Sequence, residues 1–109
     1  MFDEGIKTSF WISAEIRRCD GLFLPMTILH RGDDGRGLVL VKQYIAGKGC
    51  ILHNRKRDVN GRLGWHNPLG PEVIDEGEAD AYIARQRGYD EDLWVMEVED
   101  PRGQYSPAT

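Results

Sequence analysis

Five basic or imidazole side chains lie close together in the middle of this sequence and could bind an anion. Arginine and protonated or neutral imidazole donate hydrogen bonds, and the planar guanidinium group matches the geometry of carboxylate and phosphate oxygens. The chemistry that such a set supports is recognition of a small anionic ligand or of the phosphates of single-stranded RNA. The candidate anion-binding residues are His53, Arg55, Arg57, Arg62 and His66.

A pair of carboxylates near the C-terminus could do acid and base chemistry. Glu97 and Glu99 occupy alternate positions of LWVMEVED, so on a strand they share a face with carboxyl groups about 6 to 7 Å apart, a spacing that glycosidases use. A small chain has little material for a sugar cleft, and edge strands often carry charge to avoid aggregation. We therefore interpret them as a solvated face or as electrostatic counterparts of Arg55 and Arg57, and we predict no catalytic residue.

The basic residues share one face only if a particular hairpin forms. Asn60-Gly61 is typical of a two-residue type I′ turn, which would place Arg55 opposite His66. On that register all five basic residues point outwards, whereas a shift of one residue would scatter them. The alternative is a solvated face without a ligand. The residues predicted to point inwards are Cys50, Leu52, Leu63 and Trp65.

Metal and nucleophile chemistry receive little support from the sequence. His53 and His66 would be diagonal neighbours, but zinc requires at least a third protein ligand. Cys19 and Cys50 lack C-x-x-C spacing, which favours buried free thiols. No nucleophile motif is recognisable. We therefore expect no metal site and no cofactor, and an enzyme is less probable than a binding protein.

The alternation of apolar residues and turn signals predicts an α+β fold. We expect an N-terminal helix, a four-stranded antiparallel meander, a capped helix and a fifth strand, with both helices packed on one face of the sheet. Asp75 is the expected N-cap of the second helix, with Glu78 completing a capping box. Residues 1–109 should form one domain that ends in a loose tail over about 101–109.

Composition and charge limit the classes of function. The chain has 109 residues, 40% of them hydrophobic, and a net charge of −4. Residues 72–109 carry three basic and eleven acidic side chains, a net charge of −8. This acidity argues against duplex DNA as a partner. Apolar runs are too short to span a membrane, and the N-terminus lacks a signal-peptide pattern, so we expect a cytoplasmic protein without membrane contact.

Three stretches resemble a family of small bacterial proteins, mostly from alphaproteobacteria, classed as a domain of unknown function. They are RRC at 17–19, HRGDDGRGLVLVK at 30–42 and DAYIARQRGYDEDLWVMEVED at 80–100. The resemblance covers most of the chain and is weakest over residues 46–72, where the basic hairpin lies. It implies a small standalone cytoplasmic protein and brings no activity, cofactor or catalytic residue.

Two functions from different classes remain. The first is a non-enzymatic protein-interaction module that binds a protein partner or itself as a homodimer, since aromatic residues are typical interface anchors. The alternative is binding of an anionic ligand or single-stranded RNA at the basic face, and an uncharacterised enzyme ranks third. Burial in the core is the alternative for these aromatic residues and is favoured for most of them. Candidates for a partly exposed surface are some of Phe10, Trp11, Trp65, Tyr82, Tyr89 and Trp94.

Overall fold

The residues that the structure describes form two helices and five strands, in the order that the sequence predicts. The computed structural model describes residues 7–35 and 37–108. The α+β fold class is confirmed, and neither helix of these residues is long and apolar enough to cross a membrane. The elements are α1 (Thr8–Gly21), β1 (Met26–His30), β2 (Val39–Ile45), β3 (Gly49–Arg57), β4 (Leu63–His66), α2 (Glu76–Tyr89) and β5 (Trp94–Glu99).

The strands form one mixed sheet rather than a four-stranded meander followed by a fifth strand. Its order is β1-β5-β2-β3-β4. Only β2, β3 and β4 form an antiparallel meander, whereas β5 lies between β1 and β2, antiparallel to β1 and parallel to β2. The physical reason is that β5 buries successive residues Trp94, Val95 and Met96, and a strand that is apolar on both faces belongs in the sheet interior.

The two helices lie on opposite faces of the sheet, so the prediction that both pack on one face is wrong. Trp11 and Ile12 of α1 pack in one apolar cluster with Val41 of β2. Ala79 and Ile83 of α2 pack in a second cluster with Leu40. Because neighbouring residues of a strand point to opposite faces, two buried faces require two covering layers.

Lys42 of β2 forms ion pairs that connect α2 to the sheet. Its Nζ lies 2.8 Å from Glu76 Oε2, 2.8 Å from Asp80 Oδ1 and 3.5 Å from Glu97 Oε2. Burial alone would lower the pKa of Lys42, but the carboxylates of Asp80 and Glu76 outweigh it and hold the pKa above its ordinary value. Glu97 is therefore a counterpart of Lys42 on the adjacent strand, and not of the arginines on β3.

The C-terminal segment, which the sequence suggested is a loose tail over about 101–109, is anchored at Tyr105 and Ala108, and position 109 lies outside the described residues. The Tyr105 side chain is buried, and its backbone N–H donates to Asp100 Oδ2 at 2.7 Å. The Tyr105 hydroxyl donates to Glu15 Oε2 at 2.7 Å, and the Ala108 N–H donates to the same oxygen at 3.2 Å. A buried carboxylate on α1 thus replaces regular secondary structure as the support of this segment.

Candidate functional site

The hairpin that carries the predicted anion-binding residues has a different register from the expected one. Arg55 lies opposite Trp65 rather than His66, a shift of one residue. The loop is wider because Asp58 Oδ1 accepts the N–H groups of Asn60 at 2.8 Å and Arg62 at 3.0 Å. This is the pattern of a longer turn that ends in a left-handed glycine, and Gly61 has a φ of 80°.

The shift separates the five residues. His53, Arg55 and Arg57 share the face that α1 covers, and Arg55 is buried with 6% of its surface exposed. His66 pairs with Asn54 on the face that α2 covers, and Arg62 lies in the turn. No common face holds all five side chains. Anion binding by the exposed residues of the hairpin tip, Arg57 and Arg62, stays an untested prediction.

His53 takes part in a chain of hydrogen bonds that runs from the buried Asp100 carboxylate to the exposed Asn67. Gln43 Nε2 donates to the Asp100 carboxylate at 2.8 Å, so Gln43 Oε1 is the acceptor for His53 Nε2 at 2.8 Å. His53 Nδ1 is then free to accept from Asn67 Nδ2 at 3.1 Å. Burial lowers the pKa of His53 to about 4. The imidazole is therefore neutral at physiological pH, and both of its nitrogen atoms are occupied by hydrogen bonds within the fold. For both reasons His53 is poorly suited to bind an anion.

Glu15 is the centre of a second buried polar cluster. Arg18 donates from Nε to Oε1 and from Nη2 to Oε2, each at 2.7 Å. Burial raises the pKa of Glu15, but hydrogen bonds from Arg18, Tyr105 and Ala108 outweigh this effect and bring the pKa below its ordinary value. The Glu15 carboxylate therefore connects α1 to the C-terminal segment. Because its oxygen atoms already accept these hydrogen bonds, it is poorly suited to proton transfer.

The residues that the structure describes include no group of metal ligands and no reactive thiol. Within residues 7–35 and 37–108, no three or more His, Cys, Asp or Glu side chains are placed to hold a metal ion. Cys19 and Cys50 are free and buried, and burial raises the pKa of each thiol to about 11. Both are protonated at neutral pH, which makes them unreactive as nucleophiles.

The most unusual surface residue is Phe23, which the sequence did not single out. It has a φ of 60°, a left-handed conformation that bulky residues avoid, and 92% of its surface is exposed. The conformation belongs to the helix stop, where the Leu24 N–H donates to the Cys19 carbonyl at 2.9 Å and the Phe23 N–H donates to the Asp20 carbonyl at 3.1 Å. Glycine is the usual residue at this position.

Phe23 precedes β1, a strand at the edge of the sheet. Among the described strands β1 pairs only with β5, and its sequence MTILH contains no charged residue to discourage pairing with another strand. A register shift between Ile28 and His30 marks a bulge near the end of the strand. Leu29, at that end, is 49% exposed, and Leu22, before Phe23, is 48% exposed. We call Leu22, Phe23, Leu29 and the free edge of β1 the β1 surface.

Most of the six aromatic candidates are buried or partly buried, and two are largely exposed. Trp11 and Trp94 are buried in the cluster under α1, and Trp65 packs partly buried against it. Tyr82 packs partly buried against the cluster under α2. Of the six candidates only Phe10, at 69%, and Tyr89, at 81%, are largely exposed.

Comparison with known proteins identifies the family. A family model described as a protein of unknown function, DUF1491, matches residues 6–106. The crystal structure of a DUF1491 family protein from Caulobacter crescentus is similar with a TM-score of 0.81 and 32% identity, over 91% of this chain and 92% of that one. An NMR structure of a DUF1491 family protein from Caulobacter crescentus gives a TM-score of 0.80 with 32% identity, over 91% and 89%.

A third structure shares the fold at lower identity. The solution structure of the protein Atu0922 from A. tumefaciens is similar with a TM-score of 0.75 and 20% identity, over 94% of this chain and 98% of that one. The comparison with curated proteins gives no match. The resemblance predicted from the sequence motifs is thus confirmed, and the chain belongs to the DUF1491 family, whose function is unknown.

Proposed function

We propose that this chain is a non-enzymatic interaction module that self-associates through the β1 surface. The observation that carries the proposal is Phe23, which is both 92% exposed and left-handed. A left-handed backbone costs a residue with a Cβ about 1 to 2 kcal/mol, and an exposed ring gains little in the isolated chain. Contact of the ring with another molecule would account for both features.

A second copy of the chain fits this surface. In a two-fold antiparallel arrangement the beginning of β1 lies beside the end of β1 of the other copy, which brings Phe23 of each towards Leu29 of the other. The absence of charge in Met26–His30 removes like-charge repulsion between the edges. The bulge shortens the regular edge, so side-chain packing must supply much of the binding energy, and we expect a weak dimer.

We also infer that the module works in the cytoplasm. Two free and buried thiols, Cys19 and Cys50, suit a reducing compartment, where unpaired cysteines persist without oxidation. The absence of any group of potential metal ligands within the described residues is compatible with a binding role.

Substitution of Phe23 with glycine should affect the monomer and the dimer in opposite directions. Glycine relieves the left-handed strain but increases the entropy of the unfolded chain, so we expect a net gain of about 0.5 to 1 kcal/mol in the unfolding free energy of the monomer. Loss of the exposed ring should weaken dimerisation at least about tenfold, a change of ~1.4 kcal/mol. Sedimentation velocity over a concentration series and urea unfolding of the dilute protein measure the two effects.

Phe10→Ala provides the matched control. Phe10 is also a largely exposed phenylalanine, at 69%, but it lies near the beginning of α1 and outside the β1 surface. We expect this variant to dimerise as the wild type does. A wild-type protein that sediments as a monomer throughout the micromolar to millimolar range would contradict the proposal, as would equal weakening by Phe23→Gly and Phe10→Ala.

A further inference from the structure

We propose that a cavity between α2 and the strands β2 and β3 binds a small aromatic ligand that carries an N–H donor. The cavity has a volume of about 220 Å³. Its sheet side is formed by residues 38–40 and 54–56, and its other side by Tyr82, Gln86 and residues 90 and 93. Strand β5 lies between β1 and the strands that line the cavity, so the two sites can succeed or fail independently.

The size and lining of the cavity fit a ring. An engineered apolar cavity of about 150 Å³ is known to hold benzene, so about 220 Å³ has room for a ring system of similar or slightly larger size. Leu38, Leu40 and Leu93 supply aliphatic walls, and Tyr82 supplies an aromatic surface against which a second ring can pack. Leu38 is 43% exposed, which places it at the entrance.

Asn54 gives the cavity a preference for a hydrogen-bond donor. Its Oδ1 is buried and has no hydrogen-bond partner among the residues that the structure describes. Such an oxygen only accepts, and a buried acceptor without a partner favours any ligand that supplies an N–H or O–H. The terminal torsion of asparagine is soft, so a small rotation can turn this oxygen towards a ligand in the cavity.

The remaining polar residues of the lining are compatible with the same ligand. Asp90 and Gln86 add oxygen acceptors, and one Asp90 oxygen already accepts from the Asp92 N–H at 3.0 Å. Asp90 and Lys56 bring opposite charges to the lining, so the cavity favours neither an acidic nor a basic ligand over a neutral one. An apolar ring with a neutral N–H group, as in indole, therefore matches both the walls and the unpaired acceptor.

The test uses indole and benzofuran, two rings of nearly equal shape of which only indole has an N–H. We expect indole to shift the backbone amide resonances of residues 38–40, 54–56 and 82–93 in an NMR titration of the wild-type protein. Benzofuran should bind at least about tenfold more weakly, because it leaves the Asn54 oxygen unpaired. N-acetyltryptophanamide, titrated in parallel, distinguishes a free small molecule from a tryptophan side chain of a protein as the source of the ring.

Two variants separate the donor recognition from the cavity itself. Asn54→Leu should remove the difference between indole and benzofuran, and Leu38→Trp should fill the entrance and weaken both ligands. Failure of saturating indole to move these resonances would overturn the site, and equal affinity of the wild type for indole and benzofuran would overturn donor recognition. Because the second comparison uses only wild-type protein, it remains decisive even if Asn54→Leu does not fold.

Discussion

Acidification from pH 6.5 to pH 4 is expected to lower the unfolding free energy by up to about 3 kcal/mol through His53 alone. Burial lowers the pKa of His53 from 6.5 in the unfolded chain to about 4 in the folded protein. Between these values the unfolded chain binds a proton that the folded protein does not. The contribution is therefore fully present above pH 6.5 and is lost as the pH falls towards 4.

His53→Gln should flatten this pH dependence. An amide can keep part of the hydrogen bonding to Gln43 and Asn67, but it does not titrate in this range. Urea unfolding at a series of pH values gives the slope for each protein. If wild type and His53→Gln lose the same stability between pH 6.5 and 4, the assignment is wrong.

The variant Glu15→Ala is expected to lower the unfolding free energy by about 3 kcal/mol or more. It removes the acceptor of Tyr105 Oη and of the Ala108 N–H, and it leaves Arg18 without its ion pair. Removal of one member of a buried ion pair commonly costs about 3 to 5 kcal/mol. The Arg18 side chain is 39% exposed and can recover part of its hydration, so we expect the lower end of that range.

Equilibrium denaturation measures this loss, and hydrogen exchange locates it. The amides of Tyr105 and Ala108 should exchange faster in Glu15→Ala, because the C-terminal segment loses its anchor. Asp20→Ala is the control on the same helix, since Asp20 is exposed and its substitution should change stability by less than about 0.5 kcal/mol. Similar effects of the two substitutions would show that Glu15 does not have the anchoring role assigned to it.

The elements that depend on local signals could be predicted from the sequence. Asp75 caps α2 as expected, with its side chain accepting the Gly77 N–H at 3.0 Å. Ala79 and Ile83 form the buried face of that helix, and their spacing of four residues places them on one side of it. These features depend on neighbours within one or two turns, so the sequence contains the information in a short window.

The position of β5 could not be read in this way. Glu97 and Glu99 alternate with apolar residues in the sequence, which suggested that one face of the strand is exposed to solvent. In the sheet, the Glu97 carboxylate is balanced by Lys42 of the adjacent parallel strand. In the sequence, a carboxylate that pairs with a distant lysine cannot be distinguished from a carboxylate that is exposed to solvent. Only the pairing of the strands shows which of the two it is.

The candidate site depended on two single-residue details. Asp58 stabilises a turn one residue wider than Asn60-Gly61 suggests, and this places His66 on the opposite face of the sheet from Arg55. Gly21 lies within α1, and Phe23 adopts the left-handed conformation that ends the helix. The burial of Leu24 in the core, with 3% of its surface exposed, fixes where the chain must turn, and no local preference reveals that requirement.

The insertion of β5 between β1 and β2 has a consequence for how the protein folds. β1 and β2 follow one another along the chain, but neither can complete its place in the sheet until β5 arrives from more than half the chain away. Closing such long loops carries an entropic penalty before any strand contact is gained, which slows folding relative to structures rich in local contacts. A fragment that stops after α2 should therefore stay largely unfolded, and a separate peptide with the sequence of β5 should be able to restore the sheet.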